Sequence, residues 1–328
     1  MHEKVVSGDI SDEHQGGLGD SVKGSTVHWN AWGQYFAIAA AYEAVYEITY
    51  HLSSSQFLLT TGLRLAVMLL LPMRFWLALA IGEAVPLVEN AFFSVGKFGY
   101  AWTVLATVPT VALWWLPLKS IRTRWPLLNK EGTVRMHVFL GAALAVSAIT
   151  SAIMTMTWGA AMIERPGMWP ARNPIEVFFT CLIGAYLGAL TLTPVILALR
   201  ERARNHWAAF SLGAIWRSPL LRDIVWWALP TLMILAWVAS TTQDDSVRNM
   251  VRYAFLWPAL GLTWRHGWHG TAVAGLMASF ALAYTAHGHL GREALASEIC
   301  LAVVLSVALF SGARSHRGIG VTARANAP

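Results

Sequence analysis

The sequence is poor in charge and in cysteine. Asp, Glu, Lys and Arg make up 13% of its 328 residues, against ~25% in ordinary soluble domains. The two cysteines, Cys181 and Cys300, both fall in apolar segments. They are too few for a disulfide framework and have no metal-ligand spacing. There is no Ser-His-Asp arrangement on a recognisable scaffold, no phosphate-cradling glycine loop and no HExxH. A non-enzymatic protein is therefore expected, and no cofactor is indicated. The ten-residue alternating segments of a membrane β-barrel are missing as well. Residues 1–28 lack the basic start, apolar run and small-residue cleavage site of a signal peptide. They are polar and rich in Gly, Ser and Asp, which reads as a disordered cytoplasmic tail.

What remains is apolar. Hydrophobic residues make up 56% of the chain, and they cluster in stretches of about 17–25 residues, the length of a membrane-crossing helix. The expected fold class is all-α: a polytopic helical membrane protein of about ten transmembrane helices, with a range of eight to ten. The spans read as Trp29–Tyr50, Phe57–Leu71, Phe75–Phe93, Tyr100–Leu118, Met136–Ile163 and Ile175–Leu199 in a first block, 29–200. An interfacial linker follows over 205–222, with Trp207, Phe210, Leu212, Ile215 and Trp216 on its apolar side. A last block, 223–312, holds Asp223–Thr242, Val247–Trp264, His269–His287 and Ala294–Gly312, and 313–328 is a short basic tail. The 17 tryptophans lie mostly near expected helix ends, as in an interfacial aromatic belt. With ten spans both termini share one side, and that side carries most of the 24 Lys and Arg. The positive-inside rule then makes both termini cytoplasmic. The same topology accounts for the net charge of +6 without a nucleic-acid partner. The RxRxR run at 200–204 suits phospholipid headgroups.

The charges that remain inside apolar stretches stand out. The segment from Phe57 to Phe93 reads as a hairpin of two helices hinged near Pro72, Met73 and Arg74. Arg64 lies in its first arm, Glu83 and Glu89 in its second. An ionisable group at membrane depth costs at least ~2.5 kcal/mol on insertion scales, so it normally faces the protein interior with a partner. Arg64 stands nine positions before Met73 and Glu83 ten after it. At ~1.5 Å per residue the two lie at one depth. Folding back across a turn near Ser53 and Ser54 brings Glu43 to that depth too. Arg64, Glu43 and Glu83 thus form the expected centre. It is either a buried ion network that locks three helices or an anion- or proton-linked pocket.

Other residues invite sharper and blander readings. Glu43, Glu47 and His51 recur every four residues and share a helix face. They are candidate metal ligands, or simply interhelical hydrogen-bonding groups. Tyr42, Tyr46 and Tyr50 form the adjacent stripe. Glu89 and Asn90 sit nearer the surface, where they would line a pocket mouth or be hydrated. Gly184-x-x-x-Gly188 is a close-packing motif. His287 and His289 read as surface loop.

Three stretches carry a resemblance: GLRLAVMLLLPMRFWLALAIGEAVPLVENAF from Gly62, FFTCLIGAYLGALTLTPVILALRER from Phe178, and FLWPALGLTWRHGWHGTAVAGL from Phe255. Together they resemble the first class of bacterial membrane-associated sensor domains. The resemblance implies a multi-pass protein of the bacterial inner membrane. It would detect a small-molecule ligand or a membrane state and pass the signal to a cytoplasmic partner or output module. Such domains usually feed a kinase or cyclase, and the chain has no room for either after the last span. A partner, or an output domain outside the sequence, is expected instead, and a homodimer remains open. The alternative is a secondary transporter or permease-like protein that uses the intramembrane Arg and Glu for coupling. The sequence shows no convincing inverted repeat in its favour.

Overall fold

A computed structural model describes residues 16–54, 57–127, 134–167, 172–206, 218–286 and 292–325. The described chain is helical throughout. In order it forms α1 (Gly16–His51), α2 (Leu59–Leu70), α3 (Trp76–Phe98), α4 (Tyr100–Ala106), α5 (Thr110–Arg124), α6 (Met136–Glu164) and α7 (Pro174–His206). After these come α8 (Pro219–Asp223), α9 (Leu229–Thr241), α10 (Asp245–Ala254), α11 (Leu256–Ala286) and α12 (Arg292–Ala325). A π-helical turn, Ile224–Ala228, joins α8 to α9. α1 begins inside the segment expected to be tail. Most of the expected surface helix at 205–222, and both His287 and His289, lie outside the described residues.

The expected span count is overturned, although the all-helical class stands. Among the described residues, five helices are long and apolar enough to cross a membrane: Met73–Phe98, Met136–Glu164, Pro174–Arg204, Pro219–Thr241 and Leu295–Ala313. The count becomes six if the bent pair α4–α5 is one span. This is well short of eight to ten, for local reasons. α2 has 12 residues, about 18 Å of helix against a hydrocarbon core of ~30 Å. The expected span Val247–Trp264 is broken: α10 has only ten residues, and α11 starts afresh at Leu256. α11 is itself interrupted at Gly267, whose φ of 60° and ψ of −146° are not helical. α1 is long, but its Glu, Gln and Tyr dilute it. An odd number of spans would put the termini on opposite sides, so the inference that both are cytoplasmic loses its basis.

The surface is still that of a membrane protein. Large apolar side chains such as Phe93, Leu116, Ile163, Trp226 and Trp237 point outward from the long helices. In water such a surface would drive association; in lipid it is solvated.

α7 stands between the two halves of the bundle. It packs on α2 and α6 on one side and on α11 and α12 on the other. Its contact with α2 is backbone to backbone. A Cβ on Gly62 would lie 2.1 Å from the Gly188 carbonyl oxygen, and one on Gly188 would lie 1.9 Å from that of Leu58. The close approach is fixed by hydrogen bonds. The Leu58 amide donates to Gly184 O at 3.0 Å, and Thr193 Oγ1 donates to Gly62 O at 2.8 Å. A second glycine crossing joins α3 to α1, where Gly82 meets the Ala39 carbonyl. Small residues let helices touch this closely, which is the main source of helix association in lipid.

Gly188→Ala should therefore be costly. Its methyl group would meet backbone, which cannot rotate away, and overpacking of this kind costs ~1–3 kcal/mol. A melting curve in detergent should show a clear loss, whereas Gly141→Ala, where a Cβ meets nothing within 4 Å, should leave the melt almost unchanged.

Candidate functional site

Arg64 enters the site from the middle of α2. The short helix is buried along nearly its whole length, so a long cation on it is held almost entirely among protein groups. Its nearest counter-charge is Glu83 of α3, the residue after the Gly82 crossing. Arg64 Nη2 donates to Glu83 Oε1 at 2.5 Å. The two side chains are 4% and 0% exposed. The second carboxylate oxygen is also satisfied: Glu83 Oε2 accepts from the Val111 amide at 2.9 Å.

That amide belongs to the first turn of α5. The α4–α5 span bends by 42° at Thr107–Pro109. Proline has no N–H and holds the preceding residue out of the helix, so α5 starts anew there with unpaired amides. A carboxylate at that position meets both the amides and the positive end of the helix dipole. Pro86 has a related effect within α3, where it leaves the Gly82 carbonyl without its helical donor.

Two aromatic rings complete the cation's shell. The guanidinium lies 5.7 Å from the Tyr46 ring centroid and 5.1 Å from that of Trp114, within cation–π range. Several polar atoms here lack partners. Arg64 Nε, Tyr42 Oη, Thr61 Oγ1, Trp76 Nε1 and Trp114 Nε1 are all buried without a hydrogen bond. Each can donate, and none has an acceptor.

Arg64 also lines a cavity of about 670 Å³. The cavity opens at the end of the bundle that carries the α1–α2 turn. That turn is closed by paired amide bonds between Ser54 and Phe57, each 3.0 Å. Tyr46, Tyr50, Phe98, Trp102 and Trp158 supply its aromatic wall, and Ser54, Thr60 and Thr110 lie among its polar lining. At the mouth, Asn90 Nδ2 donates to Tyr50 Oη at 2.9 Å and Ser94 Oγ donates to Asn90 Oδ1 at 3.2 Å. Beyond Arg64 the bundle is solid. Trp76, Trp114, Phe139 and Met68 are completely buried, and Arg122 Nη1 donates to Met68 O at 2.8 Å and to Leu71 O at 2.5 Å.

The residues singled out from sequence distribute as follows. Arg64 and Glu83 are bonded. Glu43 is half-buried on α1, and the residues that α1 turns toward Arg64 are Tyr42 and Tyr46. Glu47 and His51 form a half-exposed i,i+4 contact of 3.4 Å, and His51 Nδ1 also lies 2.9 Å from Glu47 O. No group of three His, Cys, Asp or Glu side chains with metal-binding geometry occurs among the described residues, so Glu43, Glu47 and His51 do not converge. Glu89 is exposed and lines a small neighbouring recess of about 240 Å³ together with Asn90, Glu47 and His51.

Other participants carry little sequence signal. Trp114 is one tryptophan among 17, and its position depends on where the span breaks. Glu164, at the end of α6, reaches over Gly99 and accepts from the Ala101 amide at 2.9 Å, so it caps α4. Glu298 lies inside the last candidate span at 4% exposure, and its Oε2 has no partner. Nearby, Arg252 Nη2 donates to Thr285 O at 2.7 Å.

A larger cleft of about 1380 Å³ lies at the opposite end of the bundle, between α7, α11 and α12. Of its ionisable lining groups, Arg265 and His266 pair with Asp223 at 3.1 and 3.0 Å, Glu201 lies 3.6 Å from His269, and Arg202 Nη1 donates to Ser218 Oγ at 3.2 Å. The smaller cavity, which ends on a buried charge, is the stronger candidate.

No family model matches the chain, and no curated protein or solved structure matches it either. The established description is accordingly general: an all-helical protein with several helices fit to cross a membrane and a deeply buried Arg64–Glu83 pair between two of its helices.

Removing one member of a buried ion pair typically costs ~3–5 kcal/mol, because the other charge is stranded. Arg64→Ala and Glu83→Ala should each lower the melting temperature in detergent sharply. The double variant Arg64→Met/Glu83→Leu should recover most of that loss. Additive losses in the double variant would show that the two side chains do not act as a pair.

Proposed function

We propose that this protein is a permease-like secondary transporter, in which the Arg64–Glu83 pair couples the passage of a small solute to movement of the helices. The observation that carries this reading is the double attachment of Glu83. One carboxylate oxygen is held by Arg64 and the other by the first turn of the half-helix that follows a break. Discontinuous helices whose amino ends face a charge near mid-membrane are a recurrent feature of transporter sites.

The energetics fit that use. Separating the pair in a dry interior strands two charges, so the bundle stays closed when nothing is bound. An ion or proton that replaces one partner removes the penalty. Opening is then conditional on cargo, which is what coupling requires: a ligand can drive a transition only through its different affinity for two states. The bend at Thr107–Pro109 and the proline in α3 are places where α5 and α3 can change direction with little loss of hydrogen bonding.

A receptor reading, in line with the sensor-domain resemblance, uses the same cavity. In its favour is the solid packing beyond Arg64. There the closure is permanent, and ligand binding only shifts helices that a partner reads.

Cysteine accessibility separates the two. In a Cys181→Ser/Cys300→Ser background, Thr60→Cys probes the cavity and Leu118→Cys the sealed side. Both variants are treated with a membrane-impermeant maleimide in intact cells and in inverted vesicles. Transport predicts that Thr60→Cys reacts from one side and Leu118→Cys from the other. If Leu118→Cys stays unreactive from both sides, with and without added solutes, transport is ruled out and the receptor reading takes its place.

A further inference from the structure

The cavity's chemistry points to the class of molecule it takes. We infer that it binds a small organic carboxylate with a flat apolar body, its oxygens on Arg64 and its body between the aromatic walls. This inference rests on the cavity assigned above and names its occupant.

The case begins with an imbalance of donors over acceptors. Glu83 has a donor on each of its oxygens. Arg64 is not. A guanidinium has five N–H groups in a planar fork, and Arg64 makes a single hydrogen bond while lining the cavity. Its Nε is buried with no acceptor. Ser54 Oγ, also on the cavity lining, is buried and unpartnered. Among the other polar wall residues, Thr150 and Thr157 hydrogen-bond to carbonyls of their own helix, and Asn90 is held by Tyr50 and Ser94. Arg64 Nε can only donate and Ser54 Oγ can do so, and buried donors without acceptors are costly. A ligand that brings acceptors lowers that cost; one that brings further donors raises it.

Geometry narrows the anion. Arginine's planar fork matches a carboxylate in bidentate fashion. The cavity of about 670 Å³ falls within the range of small-molecule sites, roughly 300–1,000 Å³. Tyr46, Tyr50, Phe98, Trp102 and Trp158 line it, and they favour a flat apolar body over a sugar or a small inorganic anion. The mouth adds selectivity. Glu47 stands near it on α1 and Glu89 on α3, both lining the adjoining recess. Two carboxylates there repel polyanions, so a single negative charge is favoured.

The test uses the purified full-length protein in detergent. The probes are benzoate, cinnamate and hexanoate, with benzamide and benzylamine as controls of similar shape. Binding is read from tryptophan fluorescence, since Trp102 and Trp158 line the cavity, and from the thermal shift. At least one carboxylate should bind saturably, and at least tenfold more tightly than benzamide or benzylamine. Ser54→Ala should weaken it several-fold and Arg64→Lys tenfold or more. Equal or tighter binding of the amide or the amine overturns the proposal, as does the absence of binding by all three carboxylates at millimolar concentration. If Arg64→Lys does not fold, the ligand series on the unaltered protein still decides. Counterflow of the bound carboxylate in proteoliposomes is measured in parallel. Binding without counterflow keeps the carboxylate and removes transport; counterflow of an amine without carboxylate binding keeps transport and removes the carboxylate.

Discussion

An arginine buried in the middle of a short apolar helix sets the terms for everything around it. Arg64 is almost wholly buried, so the chain must supply its counter-charge, and Glu83 does so from the next helix. Glu83 in turn needs a second donor, and the broken start of α5 provides one. The two charges thus tie together α2, α3 and α5, while Tyr46 of α1 covers the guanidinium. Such a pair gains little net stability, because the cost of desolvating two ions nearly offsets their attraction. What it enforces is arrangement: any packing that misplaces one partner exposes the other to an apolar surrounding.

The α4–α5 region follows a single pattern. α5 begins with unpaired amides in the interior of the bundle and α4 at its exposed edge, and both are capped by a carboxylate from a neighbouring helix. Glu164 serves α4 through Ala101, and Glu83 serves α5 through Val111. Water normally satisfies a helix start; here side chains do, and α6 and α3 are thereby fastened to the two ends of the bend. Gly99, with φ of 94°, turns the chain between α3 and α4 beneath Glu164.

Much of this was legible in the sequence, and the rest has physical reasons for being hidden. Counting residues from the Pro72–Arg74 turn puts Arg64 and Glu83 at one depth, because helical rise is constant. The same count cannot say which face α1 presents. A four-residue spacing groups Glu43 with Glu47 and His51, and equally groups Tyr42 with Tyr46 and Tyr50. The choice falls to the crossing of Gly82 over Ala39, a contact between segments far apart in the chain. The number of spans was misread because an apolar run gives composition and not continuity. The breaks at Phe255 and between α4 and α5 each divide a hydrophobic stretch without interrupting its hydrophobicity. The capping role of Glu164 depends on α4 starting where it does, so it becomes visible only once that break is known.

The glycine crossing of α2 on α7 assigns different mechanical parts to the two charges. α2 is joined to α7 by backbone contact at Gly62 and Gly188 and by hydrogen bonds at both ends of the contact. α7 packs on both halves of the bundle. Arg64 is therefore a fixed post, seated on a helix tied to α7 through its backbone. Glu83 sits on a helix with a proline one turn further on, and it grips another that starts at a bend. It is the latch: a change of direction at either proline would carry the carboxylate and leave the guanidinium in place.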